Sequence, residues 1–198
     1  QSFELSTLGG WVATRSSGQQ SLGYGGIERL FAGGRVETPS GRLDLPAFPA
    51  SAAGPDLREV VLGSEGRLGV ITEGTVRVSL LPPREEVHGV FLPDLPTAVA
   101  AVRDLAAMRL PLSMLRLSTP EETRTTLVLA GHERLVSALE KYLSFRGARE
   151  EKCLLLVGFS GSENLVRQAR RQALGALAMR GGVAAGKAFG REWTRNRF

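Results

Sequence analysis

Two adjacent prolines, Pro82 and Pro83, constrain the fold more than any other feature of the 198-residue chain. Proline fixes its own φ and has no backbone donor, so two in succession form a stiff break between structured segments. The composition and the periodicity of the sequence change at this break. Residues before it are rich in glycine, serine and threonine, whereas residues after it alternate between strand and helix periodicity. We therefore predict two domains, residues 1–84 and residues 85–198.

Short strands and turns are predicted before the prolines. A hairpin is expected over residues 35–45, because Pro39-Ser40-Gly41 separates two short apolar runs. Gly54-Pro55-Asp56 is typical of a helix start. The apolar face of that helix would contain Leu57, Val60 and Val61. Alternating polarity predicts a half-buried strand over residues 70–80, with an inner face of Val76, Val78 and Leu80.

Longer elements are predicted after the prolines. Strand periodicity covers residues 87–92, 113–118 and 153–159, and helical periodicity covers residues 96–109, 132–145 and 162–179. Strands and helices that alternate in this way predict an α/β sandwich, with helices on one face of a mostly antiparallel sheet. The predicted fold class of the chain is therefore α+β.

A glycine-rich loop is predicted over residues 63–69, Gly-Ser-Glu-Gly-Arg-Leu-Gly. Glycine lacks a Cβ, so backbone N–H groups in such a loop can approach an anion or a carbonyl-rich ring. The loop differs from a dinucleotide-binding Rossmann loop, because its glycines are spaced three and three and it runs from helix to strand. A tight helix-to-strand connection has the same pattern, and spacing alone does not choose between the two readings.

A second concentration of small polar residues covers residues 6–18, where hydroxyl groups and glycines accompany Arg15. Hydroxyls and backbone N–H groups suit a pyrophosphate or a sugar chain, and a guanidinium neutralises negative charge. An ordinary serine- and threonine-rich loop is the alternative interpretation.

Arg116 is a third candidate. On the predicted strand 113–118, Leu115 and Leu117 share one face and Arg116 lies on the other. Such an arginine is either a solvated surface residue or a clamp for a phosphate or carboxylate.

Several function classes are disfavoured. The net charge is +5, but the basic residues do not cluster, so a small anionic ligand is favoured over nucleic acid. His88 and His132 lack ligand partners at metal-binding spacing, so no metal is expected. Residues 181–188 resemble a P-loop but end in Ala188, where a hydroxyl must reach magnesium. The lone Cys153 lies in an apolar run and indicates a core thiol in a reducing compartment.

Read together, these motifs resemble one family. The run Ser6-Thr7-Leu8-Gly9-Gly10-Trp11-Val12-Ala13-Thr14-Arg15-Ser16-Ser17-Gly18 is followed by Tyr24-Gly25 and Ile27-Glu28. The third motif is Gly63-Ser64-Glu65-Gly66-Arg67-Leu68-Gly69-Val70-Ile71-Thr72-Glu73. All three are similar to the flavin-binding domain of the alkyldihydroxyacetonephosphate synthases. FAD-linked glycolate and D-lactate dehydrogenases share only the glycine pair and the Gly-Ser-Glu-Gly element.

The resemblance implies a fold and a set of binding residues. The chain would be the second half of a vanillyl-alcohol-oxidase type FAD-binding domain followed by the start of the cap domain. Arg116 would hold the phosphate head group of the substrate. Contacts with FAD would come from Gln1, Ser2, Phe3, Glu4, Leu5, Ser6, Thr7, Thr14, Arg15, Ser16, Ser17, Glu65, Gly66, Arg67, Leu68, Gly69, Val70 and Ile71.

The activity implied is exchange of an acyl for an alkyl group on a dihydroxyacetone phosphate, through a flavin adduct. The alternatives are an FAD-dependent 2-hydroxyacid dehydrogenase and a non-catalytic binding domain. The resemblance places the catalytic residues outside these 198 residues, so the fragment alone is expected to be inactive. It further implies a small anionic substrate, no nucleic acid, peripheral membrane contact through a lipid substrate, and a homodimer. A cytoplasmic location is expected, or a peroxisomal one in a eukaryote.

Overall fold

The computed structural model describes residues 3–49, 53–129 and 133–186, and they divide into two compact units between Leu81 and Pro82. Each unit has apolar clusters of its own, which are formed entirely by residues on its side of that division.

The first unit is a three-stranded antiparallel sheet with short helices. A 3₁₀ turn at Phe3–Leu5 precedes the helices α1 (Leu8–Ala13), α2 (Ser21–Tyr24) and α3 (Ile27–Leu30). The strands β1 (Phe31–Thr38) and β2 (Gly41–Leu45) form the predicted hairpin, and α4 (Leu57–Val61) and β3 (Val70–Val76) follow. The strand order is β2-β1-β3.

The apolar face predicted for α4 is partly wrong. Val61 is buried as expected, but Leu57 and Val60 are about half exposed, and the other buried residue is Arg58. The Arg58 guanidinium donates to the Asp56 carboxylate and to the carbonyl oxygens of Ala32 and Phe48. A polar network therefore holds this face of the helix, where the sequence indicated apolar packing.

The strand predicted over residues 70–80 is too long. It ends at Val76, which pairs with Phe31 at the start of β1. Beyond that pair the neighbouring chain is helix α3, so there is no further strand with which to pair. Val78 and Leu80 consequently lie outside the strand and are strongly exposed, contrary to the prediction.

The second unit is a four-stranded antiparallel sheet in the order β5-β6-β4-β7. Its elements in chain order are β4 (Arg84–Leu92), α5 (Leu95–Ala107), β5 (Leu112–Leu117), α6 (Pro120–Leu129), α7 (Glu133–Phe145), β6 (Cys153–Gly161), α8 (Glu163–Met179) and β7 (Val183–Gly186). Helix α6 and strand β7 were not predicted, and β7 lies inside the segment that resembles a P-loop.

Helices cover both faces of this sheet, so the expectation of one covered face is wrong. Alternate residues of β4 and β6 enter two separate clusters. One cluster packs the sheet against α5 and α8, and the other packs it against α6 and α7. Cys153 is fully buried in the first cluster, as predicted, and this burial raises the pKa of its thiol. No described helix is both long and apolar enough to cross a membrane.

Candidate functional site

The two glycine- and hydroxyl-rich segments of the first unit lie against each other. The Gly63 N–H donates to the Val12 carbonyl at 3.0 Å, and the Glu65 N–H donates to the Ala13 carbonyl at 2.9 Å. The loop 63–69 is thereby attached to the C-terminal end of α1, next to Thr14 and Arg15. Two of the sequence-predicted binding segments therefore form one surface, although about fifty residues separate them.

Hydroxyl groups at both ends of α1 are used to build this helix. The Thr7 hydroxyl accepts from the Gly10 N–H, and the Ser6 hydroxyl accepts from the indole N–H of Trp11. At the other end, Thr14 Oγ1 donates to the Gly10 carbonyl and lies 2.6 Å from the Ser16 hydroxyl. Six helical residues span roughly 9 Å, so these hydroxyls border a strip that an elongated ligand could follow.

Arg15 places a positive charge at the C-terminal end of α1, beside this strip. Its backbone has a φ of +49°, in the left-handed region that is uncommon for residues other than glycine. Its guanidinium forms an ion pair with Glu59 at 2.9 Å, and both side chains are about half exposed. Exposed ion pairs of this kind contribute about 0–1 kcal/mol, so an anionic ligand can compete for the guanidinium at little cost.

The conformation of the glycine-rich loop is set by the chain itself. Besides the two N–H groups bound to α1, the Ser64 N–H donates to Val61 and the Arg67 N–H donates to Ser64. Four N–H groups of the loop are therefore occupied by backbone acceptors, contrary to the expectation that they are available to a ligand. They belong to Gly63, Ser64, Glu65 and Arg67. What remains is a preformed turn in which residues 65–68 are exposed.

Close backbone packing connects this turn to the sheet. A Cβ on Gly69 would lie 2.1 Å from the Glu37 carbonyl oxygen, so the entry to β3 requires glycine. Helix α1 lies directly on β3, where a Cβ on Gly9 would touch Ile71 and a Cβ on Gly74 would lie 3.0 Å from Leu8. These contacts fix Val70 and Ile71 beside the strip, with the Val70 side chain exposed.

The remaining predicted flavin contacts are less concentrated. Glu4 and Leu5 are exposed on the 3₁₀ turn, and Ser17 is exposed just after α1. Phe3 begins that turn, and Gln1 and Ser2 lie outside the described residues.

Arg116 lies in the second unit on β5, an edge strand of the sheet. It pairs in register with Leu156, whose side chain belongs to the cluster under α6 and α7. Leu115 and Leu117 pack against the opposite cluster. The Arg116 side chain is exposed, which agrees with the predicted alternation.

A buried ionic cluster in the second unit was missed by the sequence analysis. The Glu86 carboxylate is almost inaccessible and contacts Arg84 at 2.6 Å, Arg170 at 2.7 Å and His88 Nε2 at 3.0 Å. The signal was the alternation Arg84, Glu86, His88, which places three polar side chains on one face of a single strand. Because Arg170 is on α8, the cluster attaches that helix to β4.

Comparisons with known proteins agree with this architecture. Residues 81–198 match the family model described as FAD linked oxidases, C-terminal domain. The chain is 35% identical to an alkyldihydroxyacetonephosphate synthase of Dictyostelium discoideum over 204 residues, covering 100% of this chain and 33% of the relative. A solved alkyldihydroxyacetonephosphate synthase structure superimposes with a TM-score of 0.85 at 35% identity, over 99% of this chain and 36% of that one.

Similarity to the dehydrogenases is shorter. A mitochondrial D-lactate dehydrogenase [cytochrome] of Arabidopsis thaliana is 41% identical over 83 residues, which cover 41% of this chain and 15% of that protein. The chain thus spans about a third of the length of the synthase that it matches throughout. The resemblance to the synthases, the α+β fold and the expectation of FAD are confirmed by these matches.

Proposed function

Because the chain belongs to the FAD-linked oxidase family, we propose that it is part of a flavoenzyme that exchanges an acyl for an alkyl group on a dihydroxyacetone phosphate. The observation that supports this proposal best is the similarity to a synthase along the entire chain, whereas the match to the D-lactate dehydrogenase covers 41% of it. We assign residues 1–84 to the FAD-binding domain and residues 85–198 to the cap.

The first unit offers a suitable surface for part of FAD. The exposed turn 65–68 and the hydroxyls of Thr14 and Ser16 border the same end of α1, with Arg15 beside them. A preformed polar strip with the guanidinium groups of Arg15 and Arg67 fits a dinucleotide, since donors that are already fixed lose little entropy when the ligand binds. Bound FAD would supply the group-transfer chemistry, and the residues of this chain would bind it and orient it.

Arg116 is the proposed contact for the phosphate of the substrate. Its side chain is exposed, and the strand directs it away from Leu115 and Leu117. A guanidinium presents a planar set of donors that matches phosphate in a bidentate geometry. We therefore propose an anionic head group for the substrate.

The reaction class is tested on the full-length protein. We expect FAD in near-stoichiometric amount, release of fatty acid from an acylated dihydroxyacetone phosphate in the presence of a long-chain alcohol, and no reduction of an artificial electron acceptor by D-lactate or glycolate. Acceptor reduction by a 2-hydroxyacid without alcohol exchange would establish the dehydrogenase instead. The absence of flavin and of both activities would favour a non-catalytic binding domain.

The role of Arg116 is tested by substitution in the same protein. Hydrogen bonds to charged groups contribute about 1.5–3 kcal/mol, and each ~1.4 kcal/mol corresponds to tenfold in affinity. Arg116→Ala should therefore raise KM for the phosphorylated substrate by roughly one to two orders of magnitude, with unchanged flavin content and melting temperature. Arg116→Lys should restore only part of the loss, because an ammonium group lacks the planar fork. Unaltered kinetics in Arg116→Ala would mean that Arg116 is a solvated surface residue.

A further inference from the structure

Strand β5 contains one residue more than the strand beside it. Leu112 pairs with Phe159 of β6, and Met114 pairs with Gly158, the adjacent residue of that antiparallel strand. Ser113 is therefore the extra residue of a β-bulge. Bulges disrupt the ladder locally and re-aim the side chains that follow, and they are over-represented next to active sites.

The bulge determines which face of β5 carries each later side chain. Leu112 enters the cluster formed with α5 and α8, whereas Met114 enters the cluster formed with α6 and α7. In a regular strand residues 112, 114 and 116 would share a face, so Arg116 would point into the first cluster with Leu112. Because of the extra residue, Leu115 and Leu117 pack there instead, and Arg116 is exposed on the other face.

Gly158 provides the space for the bulge. A Cβ at this position would lie 2.7 Å from the Ser113 hydroxyl oxygen, 2.9 Å from Met114 Cβ and 3.2 Å from Met114 N. Two of these atoms belong to the rigid part of β5 rather than to the end of a flexible side chain. Any larger residue at position 158 must therefore displace the bulge itself.

The Ser113 hydroxyl gives no compensating hydrogen bond. Ser113 is 2% exposed, and its hydroxyl has no hydrogen-bond partner among the described residues. A buried hydroxyl without a partner is destabilising, so the contribution of Ser113 to β5 is its small volume and its place in the bulge.

The other end of β5 is fixed as well. The Ser118 N–H donates to the Leu154 carbonyl at 2.9 Å, and the Leu154 N–H donates to Thr123 Oγ1 of α6 at 2.9 Å. Arg116 is thus held between the bulge and an anchored strand end.

We propose that Ser113 and Gly158 act as a positioning pair for Arg116, in which the bulge they form keeps the guanidinium on the face of the sheet where it meets the anionic head group of the substrate. This inference rests on the proposed function for its substrate. Its statement about the orientation of Arg116 is independent of that substrate.

Orientation is measured by thiol labelling of the full-length protein. Arg116→Cys and Leu115→Cys are each treated with a charged maleimide, and peptide mass mapping locates the label. The buried Cys153 serves as an unreactive internal reference. We expect rapid labelling at position 116 and slow labelling at position 115. Adding Gly158→Ala should reduce this preference or reverse it, whereas an unaltered preference would overturn the proposal.

Coupling to function is measured by a double-mutant cycle of Gly158→Ala and Arg116→Ala. Gly158→Ala should raise KM for the phosphorylated substrate more than it lowers kcat, and should add nothing in the Arg116→Ala background. Additive effects, or normal kinetics in Gly158→Ala beside an impaired Arg116→Ala, would overturn the positioning role. Unchanged kinetics in Arg116→Ala would contradict the proposed substrate contact. The labelling result would then remain the test of orientation.

Two further variants complete this design. Gly175→Ala is the matched control, because a Cβ there meets nothing within 4 Å, and its labelling and kinetics should equal those of the unmodified protein. If Gly158→Ala does not fold, Ser113→Thr adds a single methyl group beside Gly158 and is read by the same two assays with the same criteria.

Discussion

Gly66 offers the sharpest test of the loop proposed to bind FAD, because the chain itself leaves space for a side chain there. A Cβ on Gly66 would meet nothing within 4 Å, and the residue has a φ of +80°. Left-handed backbone costs an L-residue roughly 1–2 kcal/mol, so Gly66→Ala should lower the free energy of unfolding of the apoprotein by about that amount and no more. Any greater effect on the holoprotein must come from the ligand.

The affinity of the Gly66→Ala variant for FAD then shows whether flavin lies against Gly66. If flavin lies against the turn, the added methyl group removes close contacts, and we expect Kd for FAD to rise at least about tenfold, or ~1.4 kcal/mol. Gly147→Ala is the control, since Gly147 has a φ of +93°, equally open surroundings and a place in the other unit. It should show a similar backbone cost with unchanged FAD affinity. Kd is measured by flavin fluorescence, and stability by urea unfolding of the apoprotein. Wild-type affinity in Gly66→Ala would refute the assignment of this turn to FAD.

Two further predictions concern the second unit. Thr123 is fully buried, and its hydroxyl accepts from the Leu154 N–H. Thr123→Val leaves that donor unpaired and should lower the free energy of unfolding, measured in urea, by about 1–3 kcal/mol. Thr123→Ser loses only a methyl group and should lower it by about 1 kcal/mol. A loss clearly below about 1 kcal/mol in Thr123→Val would contradict the hydrogen-bond argument. Asp94 caps the N-terminus of α5, and the Thr97 N–H that it accepts from holds the pKa of its carboxyl below the ordinary value. The stability that this cap contributes is therefore complete above the ordinary pKa of 3.8 and is lost as pH falls through the lower folded-state pKa. Asp94→Asn should retain the cap and flatten stability against pH in that acidic range, and an unaltered slope would contradict it.

The long helices of the second unit were predictable because burial of one face imposes a period on them, and its strands were predictable as short apolar runs. The same residues also contained a signal for two covered faces. Strand β6 is apolar and buried at seven consecutive positions from Cys153 to Phe159, which is typical of a strand with packing on both sides. The expectation of one covered face gave too much weight to element order and too little to this unbroken run.

Helix α6 was missed because it has no regular apolar face. It contains three threonines, and only Thr123 and Leu127 are buried. Its start nevertheless had a sequence signature. Thr119 and Glu122 exchange hydrogen bonds as a capping box, with Pro120 at the first helical position. Local capping chemistry was therefore a better signal for this helix than periodicity, although the prediction did not use it.

The candidate flavin surface could be predicted only in part. Which residues are small, polar or permissive is readable from sequence, and these properties selected two segments that the structure brings together. Their meeting depends on long-range bonds from Gly63 and Glu65 to the end of α1, and no local pattern encodes these. The use of the Thr7 hydroxyl as a helix cap also escaped the motif reading, although threonine is a common residue at that position.

Backbone geometry, more than side-chain chemistry, places both candidate sites. Gly69 lets β3 begin beside β1, directly after the turn proposed to bind FAD, and Gly158 leaves space for the extra residue that we propose orients Arg116. In the second case the glycine, Gly158, is separate from Arg116, the group proposed to bind the ligand. Substitution of the glycine therefore displaces a binding group that is still chemically intact, whereas substitution of Arg116 removes the group and leaves the backbone in place. Substitution of a positioning residue should therefore change both the orientation of the binding group and the affinity for the ligand. Substitution of the binding residue should change the affinity alone, and this difference distinguishes the two roles.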